Sequence, residues 1–245
     1  MKCLILAAGY ATRLYPLTEN FPKPLLKVGE KAILDWLIDG VDSCGEIDEY
    51  IVISNHKFVD HFIAWAASKS AIITVLDDGT STNEGRLGAV RDIQFAIKTQ
   101  NIDDDILVIA GDNLLDFSLN DFIRYAKSRG TSCVMRYRET DIQRRRKSGV
   151  LLVDNNNLVL NMEEKPHKPK SEWCCPPFYY YTHSDALRIE ECIADGCDTD
   201  APGSYVAWLC ERSPIYAMEM PGARYDIGTL ESYKRILCRY KGIEL

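Results

Sequence analysis

The sequence has 245 residues, of which 46% are hydrophobic and 27% are charged, as is ordinary for a globular protein. This length allows one large α/β domain or two small ones. The net charge of −7 argues against a general nucleic-acid-binding protein, which usually carries a basic surplus. No apolar stretch approaches the roughly 20 residues that a membrane-spanning helix needs. We therefore expect neither a nucleic acid nor a membrane among the partners.

Cysteine usage and the N-terminus both indicate the cytoplasm. The nine cysteines are an odd number, and no two of them form a Cys-x-x-Cys pair. Such a set is typical of reduced thiols rather than of a disulfide framework or a zinc site. The apolar run from Lys2 to Leu6 is short and leads straight into a glycine-containing loop, unlike a signal peptide.

The first half of the chain alternates between predicted strands and predicted helices. Short apolar or β-branched runs predict strands, and apolar residues at helical spacing predict helices. In chain order we predict a strand at 2–6, a helix at 32–43, a strand at 50–54, a helix from Phe58 to Trp65, a strand at 71–76, a helix at 87–97, a strand at 106–110 and a helix at 121–128. Pro16, Pro22 and Pro24 disfavour regular structure in and around the loop 7–23. This alternation is typical of βαβ units and predicts an α/β fold with a mixed, mostly parallel sheet.

The second half changes character. We predict short strands at 132–138, 149–153, 158–162 and 177–182, helices at 184–195 and 202–211, a strand at 214–219 and a final helix at 229–240. Polar turns such as Asp154-Asn155-Asn156-Asn157 join the strands. The basic run Arg144-Arg145-Arg146-Lys147 is predicted to be a solvated loop. No linker marks a boundary, so we expect one domain over residues 1–245.

The first candidate functional segment is the loop after the first strand, Leu6-Ala7-Ala8-Gly9-Tyr10-Ala11-Thr12-Arg13-Leu14. Small residues let the backbone approach a ligand, and the N–H groups that follow a parallel strand point at anions. Arg13 and Lys23 add two cations around a stiffened loop. The pattern fits a polyphosphate site and fits equally well a glycine turn with two surface cations. It is neither a Walker loop nor a dinucleotide-binding fingerprint.

Two carboxylates are candidates for a metal site. Asp112 comes directly after the strand 106–110, and ligands of open α/β sheets sit at the carboxyl ends of strands. Asp226 stands in the segment Tyr225-Asp226-Ile227-Gly228-Thr229. Proteins hold Mg²⁺ with one or two carboxylates together with substrate phosphates. Taken alone, each aspartate is equally well explained as a turn or cap residue.

A further candidate is the segment Glu163-Glu164-Lys165-Pro166, which follows the predicted strand 158–162. The lysine is suited to neutralising a phosphate, and a glutamate is suited to accepting hydrogen bonds from hydroxyl groups. A charged strand end accounts for the same residues.

Five motifs in this order resemble those of the sugar-phosphate nucleotidyltransferase family, which includes glucose-1-phosphate thymidylyl- and uridylyltransferases. They are Leu-Ala-Ala-Gly-x-x-Thr-Arg-Leu, Pro-Lys-Pro-Leu, Gly-Asp, Glu-Glu-Lys-Pro and Asp-Ile-Gly-Thr. The resemblance covers nearly the whole chain, and five ordered motifs are far more specific than any one. It implies a three-layer α/β/α Rossmann-like fold, similar to the GT-A fold, with a nucleotide-binding half at 1–130 and a sugar-binding half at 131–245. It also implies transfer of a nucleoside monophosphate from a nucleoside triphosphate to a sugar-1-phosphate, with Mg²⁺ as cofactor and pyrophosphate as product.

The resemblance further implies a role for each matching residue. The implied nucleotide-binding residues are Leu6, Ala8, Gly9, Thr12, Arg13, Lys23, Gly88 and Asp112; the sugar-phosphate-binding residues are Gly149, Glu164 and Lys165; and the metal ligands are Asp112 and Asp226. Three cations are the implied catalytic residues: Arg13 on the leaving phosphates, Lys23 on the α-phosphate and Lys165 on the acceptor phosphate. We expect a monomer or a homodimer.

Three departures from the family pattern leave the substrates open. Ala11 stands where the loop usually has a second glycine. The segment 83–89 lacks the glutamine common in enzymes that use dTTP or UTP, so the base is not fixed. Pro176 and Pro177 stand where the strand on the sugar side usually enters through a glycine, so the sugar is not fixed.

Three other functions share parts of this pattern. A cytidylyltransferase for phosphocholine or a similar alcohol phosphate shares the fold and the nucleotide loop. A glycosyltransferase is disfavoured by Arg13 and Lys23, because a sugar donor carries only two phosphates. A nucleotide-sugar-sensing regulatory subunit is disfavoured because the charged residues of every motif are retained.

Overall fold

The structure is a computed structural model that describes residues 1–42 and 45–240. Its strands are β1 (Lys2–Leu6), β2 (Lys27–Val28), β3 (Lys31–Ala32), β4 (Glu49–Ser54), β5 (Ile73–Asp77), β6 (Ile106–Ala110), β7 (Asn113–Leu115), β8 (Cys133–Arg138), β9 (Gly149–Val153), β10 (Val159–Glu164), β11 (Trp173–Cys175), β12 (Phe178–Tyr181), β13 (Tyr216–Glu219) and β14 (Arg224–Asp226). Its α-helices are α1 (Ile33–Asp42), α2 (Val59–Ala66), α3 (Ala89–Thr99), α4 (Asn120–Arg129), α5 (Ile142–Arg145), α6 (His183–Leu187), α7 (Ile189–Ala194), α8 (Gly203–Leu209) and α9 (Leu230–Tyr240). Two 3-10 turns, Thr12–Leu14 and Lys23–Leu25, interrupt the loop after β1.

Most predicted elements are confirmed, with ends that coincide or are shifted by one or two residues. The helix predicted at 32–43 is α1, and residue 43 lies outside the described residues. The helix predicted at 184–195 is divided into α6 and α7 at Arg188. The elements that the sequence did not predict are short: β2, β3, β7, β11, β14 and α5.

The chain clusters into two compact units. Unit 1 comprises Met1–Leu4, Leu87–Ile109 and Asp121–Met220, and unit 2 comprises the described residues of Ile5–Arg86, Ala110–Asn120 and Pro221–Leu245. Within the described residues, no helix combines the length and the apolar character that crossing a membrane requires.

The strands of unit 1 lie in the order β10-β9-β11-β8-β12-β6, and β13 also pairs with β8. The pairs are antiparallel except for β13 with β8, which is parallel. A tight turn between β9 and β10 explains part of this arrangement, because so short a connection can join only antiparallel strands. In that turn Asn157 has a φ of 68° and donates its N–H to Asp154 O.

Unit 2 contains a parallel pair and two antiparallel ribbons. β4 and β5 are parallel and are connected through α2, so the predicted βαβ unit is confirmed here. β2 pairs with β3, and β14 pairs with β7. Beneath these elements a buried apolar cluster joins the loop after β1 to α1, β7 and α9, and it comprises Leu14, Leu26, Val28, Ile33, Leu114, Ile227 and Ile236.

The α/β class and the mixed pairing are confirmed, but antiparallel pairs predominate, which corrects the expectation of a mostly parallel sheet. Parallel neighbours need a crossover of a dozen or more residues, usually with a helix. The alternation of strand and helix stops after α4, and the strands that follow pair by short turns and by insertion of β12 between β6 and β8.

Candidate active site

Hydrogen bonds fix the start of the loop after β1 in unit 2. Leu6 O accepts from the N–H of Gly111 at 3.0 Å. The fully buried Asn55 donates from Nδ2 to Ala8 O at 2.9 Å. Gly9 is exposed, and a Cβ built on it would meet no atom within 4 Å. The first residues of the loop are therefore held rigidly, while the backbone at Gly9 is open to a ligand.

The next part of the loop depends on the left-handed backbone of Ala11, at φ 48° and ψ 42°. Ala11 O accepts hydrogen bonds from Leu14 N–H at 2.9 Å and from Thr18 Oγ1 at 2.8 Å. The turn that follows exposes the side chains of Thr12 and Arg13. A left-handed conformation costs glycine little and alanine about 1 to 2 kcal/mol. This cost gives a physical reason for the glycine that the family usually has at this position.

Replacing Ala11 with glycine is expected to raise the free energy of unfolding by about 1 kcal/mol, since the strained backbone is relieved at the loss of one methyl group. Thermal and urea unfolding would measure the change. Ala71→Gly is the matched control, because Ala71 lies in a bend without positive φ, and there glycine is expected to lower stability. If Ala11→Gly were no more stable than Ala71→Gly, this would contradict the proposed backbone strain at Ala11.

Three charged residues of unit 2 lie close together: Lys23 in the loop after β1, Asp112 after β6, and Asp226 at the end of β14. Lys23 Nζ lies 2.8 Å from Asp112 Oδ2 and 3.9 Å from Asp226 Oδ1. The Lys23 side chain is only 8% exposed, whereas those of Asp112 and Asp226 are 39% and 54% exposed. A buried ammonium thus sits beside two carboxylates that solvent, a metal or a phosphate can still reach.

Strand pairing explains why the two aspartates are neighbours. β14 pairs with β7 so that Asp226 lies opposite Asn113, the residue after Asp112. The fully buried Asn113 donates from Nδ2 to Asp112 Oδ1 at 2.8 Å and accepts at Oδ1 from Arg224 at 2.7 Å. The ribbon fixes both the spacing of the carboxylates and the orientation of Asp112.

The surroundings of Asp112 favour its ionised form. Burial acts to raise the pKa of this carboxyl, but the Lys23 ammonium, together with the Arg224 guanidinium, outweighs burial and lowers the pKa below its ordinary value. Ionised carboxylate oxygens are the hard ligands that Mg²⁺ prefers. Two of them, reachable from solvent and next to each other, fit the expected metal.

Arg13 reaches the same segment as Asp226. A Cβ built on Gly228 would lie 3.5 Å from Asp226 Oδ2 and 3.9 Å from Arg13 Nη2. The Arg13 guanidinium and the Lys23 ammonium, which belong to the first two motifs of the sequence, therefore both lie near the carboxylates. Such an arrangement can hold several phosphate oxygens at once.

The predicted acceptor residues gather in unit 1. β10 pairs with β9 so that Glu164 lies opposite Gly149. Lys165 follows directly, with an exposed side chain and a φ of 46°, and its N–H donates to Ser148 O at 3.0 Å. Non-glycine residues with such a backbone conformation cluster at functional sites, where the surrounding structure maintains the strain.

Glu164 is half-buried, and its carboxylate faces the backbone of Gly203. Burial raises the pKa of its carboxyl above the ordinary value, and the Lys165 charge and a hydrogen bond from the Gly203 N–H oppose this rise only in part. The carboxylate is therefore partly desolvated, which makes a hydrogen bond from a hydroxyl group stronger than it is in water.

The backbone packing around residue 88 explains why this residue is a glycine. It precedes α3 with a φ of 91°, and a Cβ built on it would overlap Thr199 O and lie 2.8 Å from Thr199 C. Val90, two residues further on, donates its N–H to the same Thr199 O at 3.0 Å. The close backbone approach requires a glycine here, and the expected contact between Gly88 and the base stays a prediction.

The predicted site residues thus form one set in each unit. Unit 2 contains the loop residues Leu6, Ala8, Gly9, Thr12 and Arg13 as well as Lys23, Asp112 and Asp226, and unit 1 contains Gly88, Gly149, Glu164 and Lys165. Asn55, Asn113 and Gly203 were not predicted from the sequence. Asn55 and Asn113 carried a weak signal, because each is a polar residue close to the carboxyl end of a buried strand. Gly203 carried none, since it lies far along the chain from Glu164.

Comparison with known proteins establishes the family. A family model described as nucleotidyl transferase matches residues 2–241. The glucose-1-phosphate adenylyltransferase of Fervidobacterium nodosum is 26% identical over 94% of this chain and 59% of its own length. The bifunctional protein GlmU of Methanococcus aeolicus is 33% identical over 93% of this chain and 51% of its own length. The chain spans about half to three fifths of the length of these curated relatives.

Solved structures agree on the fold. A UDP-glucose pyrophosphorylase complexed with UDP-glucose superposes with a TM-score of 0.83 at 19% identity, covering 98% of both chains. The Rossmann-like nucleotidyltransferase fold that the resemblance implied is thereby confirmed. From its motifs, its fold and the match over residues 2–241, this chain belongs to the nucleotidyl transferase family.

Proposed function

We propose that this chain transfers a nucleoside monophosphate from a nucleoside triphosphate to a sugar-1-phosphate, releasing pyrophosphate and forming a nucleoside diphosphate sugar. The observation that carries the proposal is the buried Lys23 ammonium, 2.8 Å from Asp112 and 3.9 Å from Asp226. The names of the relatives, which include a glucose-1-phosphate adenylyltransferase, support the same class of reaction.

In unit 2 the triphosphate is bound by the loop after β1. The open backbone at Gly9 approaches the nucleotide, and Thr12 lies at the start of the exposed turn. Arg13 binds the phosphates that leave as pyrophosphate, and Lys23 binds the α-phosphate. Lys23 is well suited to this role because its position is fixed by burial and by Asp112, so little reorganisation is needed when charge develops.

Asp112 and Asp226 would hold Mg²⁺, which when bound supplies positive charge that offsets the charge of the triphosphate. The low pKa of Asp112 supports this assignment, because the carboxylate stays ionised and available as a ligand at neutral pH. Asn113 orients Asp112 through its side-chain amide, a support that metal ligands commonly have.

In unit 1 the acceptor is bound by Gly149, Glu164 and Lys165. The exposed Lys165 pairs with the acceptor phosphate, and the Glu164 carboxylate accepts hydrogen bonds from sugar hydroxyl groups. Two arginines hold the segment that follows Lys165: Arg146 Nε donates to His167 O at 3.0 Å, and Arg145 Nη1 donates to Ser171 O at 2.9 Å.

The chemical step requires charge compensation more than proton transfer. An oxygen of the acceptor phosphate attacks the α-phosphorus in line with the departing pyrophosphate, and this oxygen is already ionised at neutral pH. Two unit charges about 4 Å apart interact by about 4 kcal/mol at an effective dielectric constant near 20. Lys23, Arg13 and Lys165 offset these repulsions and orient the reactants, so no covalent enzyme intermediate is needed.

The proposal is tested by measuring pyrophosphate release from ATP, CTP, GTP, UTP and dTTP, each paired with several sugar-1-phosphates or with phosphocholine. We expect release with at least one sugar-1-phosphate. Release with phosphocholine alone would support a cytidylyltransferase instead. Nucleotide-sugar binding without release in any pair would support a sensor and overturn the proposal.

Lys165→Ala is expected to raise the KM for the acceptor by about ten- to a hundredfold, because a charge-assisted contact to the phosphate is lost. The KM for the triphosphate should change little, since Arg13 and Lys23, the proposed phosphate-binding residues, lie in unit 2. Initial-rate kinetics with each substrate varied in turn would separate the two constants. Lys168→Ala, a nearby exposed lysine, is the control. Equal changes in both KM values would contradict the role of Lys165.

The setting proposed for this activity is the cytoplasm, where nucleoside triphosphates and reduced thiols coexist. The described cysteines form no disulfides, which is compatible with that setting. We propose that the active protein is a monomer or a homodimer, which size-exclusion chromatography with light scattering would decide.

A further inference from the structure

The carboxylate of Glu164 lies between two glycines of unit 1. A Cβ built on Gly149 would lie 3.1 Å from Glu164 Oε1 and 2.5 Å from Met162 Cε. A Cβ built on Gly203 would overlap the same two atoms. The Gly203 N–H also donates a hydrogen bond to the Glu164 carboxylate. In its present position the carboxylate therefore occupies space that side chains at these two distant positions would fill.

The requirement at both glycines is for space and not for an unusual backbone. Neither residue has a positive φ, so alanine could adopt either backbone conformation without strain. Gly149 is buried at the start of β9, and Gly203 is buried at the start of α8. Helix α8 packs on β10, which carries Glu164 and Met162. A side chain at position 203 would have to displace the end of Met162, the Glu164 carboxylate, or both.

We propose that Gly203 is a positioning residue that determines acceptor specificity, because its missing side chain and its N–H hold the Glu164 carboxylate where it accepts hydrogen bonds from the hydroxyl groups of the sugar. This inference rests on the proposed function for the identity of the acceptor. It extends that function by naming a residue outside all five motifs and by giving the reason that a glycine is needed there.

The pKa of Glu164 depends on the position of its carboxylate. Burial has the largest effect and raises the pKa of the carboxyl; the Lys165 charge lowers it, Asp198 raises it, and the hydrogen bond from the Gly203 N–H lowers it. A carboxylate displaced toward solvent would lose the burial, so its pKa would fall toward the ordinary glutamate value. The titration of Glu164 therefore reports where its carboxylate lies.

The kinetic test compares wild-type protein with Gly203→Ala, using the best triphosphate and sugar-1-phosphate from the substrate panel. We expect the KM for the acceptor to rise by about ten- to a hundredfold and the KM for the triphosphate to stay within about twofold. Glu164→Asp withdraws the carboxylate without adding a Cβ and should give the same pattern if Gly203→Ala folds poorly. Gly40→Ala is the control, because a Cβ there meets only Phe117 O at 3.8 Å.

A second measurement does not depend on activity. The Glu164 carboxyl carbon is followed by NMR in protein with ¹³C-labelled glutamate, and its signal is assigned by its absence in Glu164→Gln. We expect a higher titration midpoint in wild-type protein than in Gly203→Ala. Equal midpoints would overturn the proposal even if the enzyme is active. Different midpoints with an unchanged acceptor KM would overturn the role of Gly203 in acceptor specificity. A wild-type protein that is inactive with every pair of triphosphate and acceptor would instead refute the proposed function.

Discussion

Asp112→Asn is expected to lower the rate of pyrophosphate release at least about a hundredfold while the protein stays folded. Asparagine keeps the size of the side chain and an oxygen that can accept from Lys23. It loses the negative charge that would help to hold Mg²⁺, which wild-type Asp112 keeps because the surrounding cations lower its pKa. The loss should therefore appear in turnover and in the Mg²⁺ dependence, and not in folding.

The measurement is the rate of pyrophosphate release as a function of Mg²⁺ concentration. We expect half-maximal activity of the variant at a higher Mg²⁺ concentration, with part of the lost rate recovered there. Direct titration of Mn²⁺ in the presence of nucleotide would show weaker metal binding. Asp60→Asn, which changes an exposed aspartate at the start of α2, is the control. A variant with wild-type turnover and wild-type metal dependence would contradict the metal assignment.

The loop after β1 and the main strands could be predicted from local sequence pattern, because their signals lie within a few residues of one another. The short apolar run from Lys2 to Leu6 predicts β1, and the Ala-Ala-Gly that follows predicts its end. The strand β6 is followed directly by Gly111-Asp112, so its carboxyl end could also be predicted from the sequence. Contacts of this kind depend on neighbours in the sequence, which a single sequence shows directly.

The pairing that brings Asp226 beside Asp112 could not be derived from local pattern. It depends on β7 and β14, two strands of three residues each, which are too short for a periodicity to be recognised. Only the resemblance to a family connected the two aspartates. Gly203 was missed for the same reason, since its requirement for space comes from the side chains of β10 and not from its own neighbours.

The basic run at 144–147 shows the limit of composition as a guide. A run of charges predicts a solvated loop, and Arg144, Arg146 and Lys147 are indeed exposed. Yet Arg145 and Arg146 donate to backbone carbonyl groups after Lys165, so the run also supports a candidate binding residue. Charge counts report exposure, whereas a hydrogen bond to a distant carbonyl depends on tertiary structure.

Lys23→Met is expected to reduce turnover by about a hundred- to a thousandfold, the largest effect of a single cation in this site. Methionine fills a similar volume but removes the buried ammonium, and Asp112 and Asp226 then face the triphosphate without it. Because the lost charge belongs to a fixed side chain and not to an exchangeable ion, added Mg²⁺ should not restore the rate. This outcome differs from the one expected for Asp112→Asn, so the two variants together separate the role of the lysine from that of the metal.

Lys27→Met, an exposed lysine on β2, is the matched control and should keep nearly full activity. Thermal unfolding of both variants shows whether the loss at Lys23 reflects folding, since two neighbouring carboxylates left without their ammonium repel each other and lower stability somewhat. A Lys23→Met protein that melts near the wild-type temperature and is inactive would assign the loss to catalysis. A mobile cation cannot replace a fixed contact between Lys23 and the α-phosphate. If Mg²⁺ restored the rate of Lys23→Met, the ammonium would therefore only neutralise the charge of the aspartates.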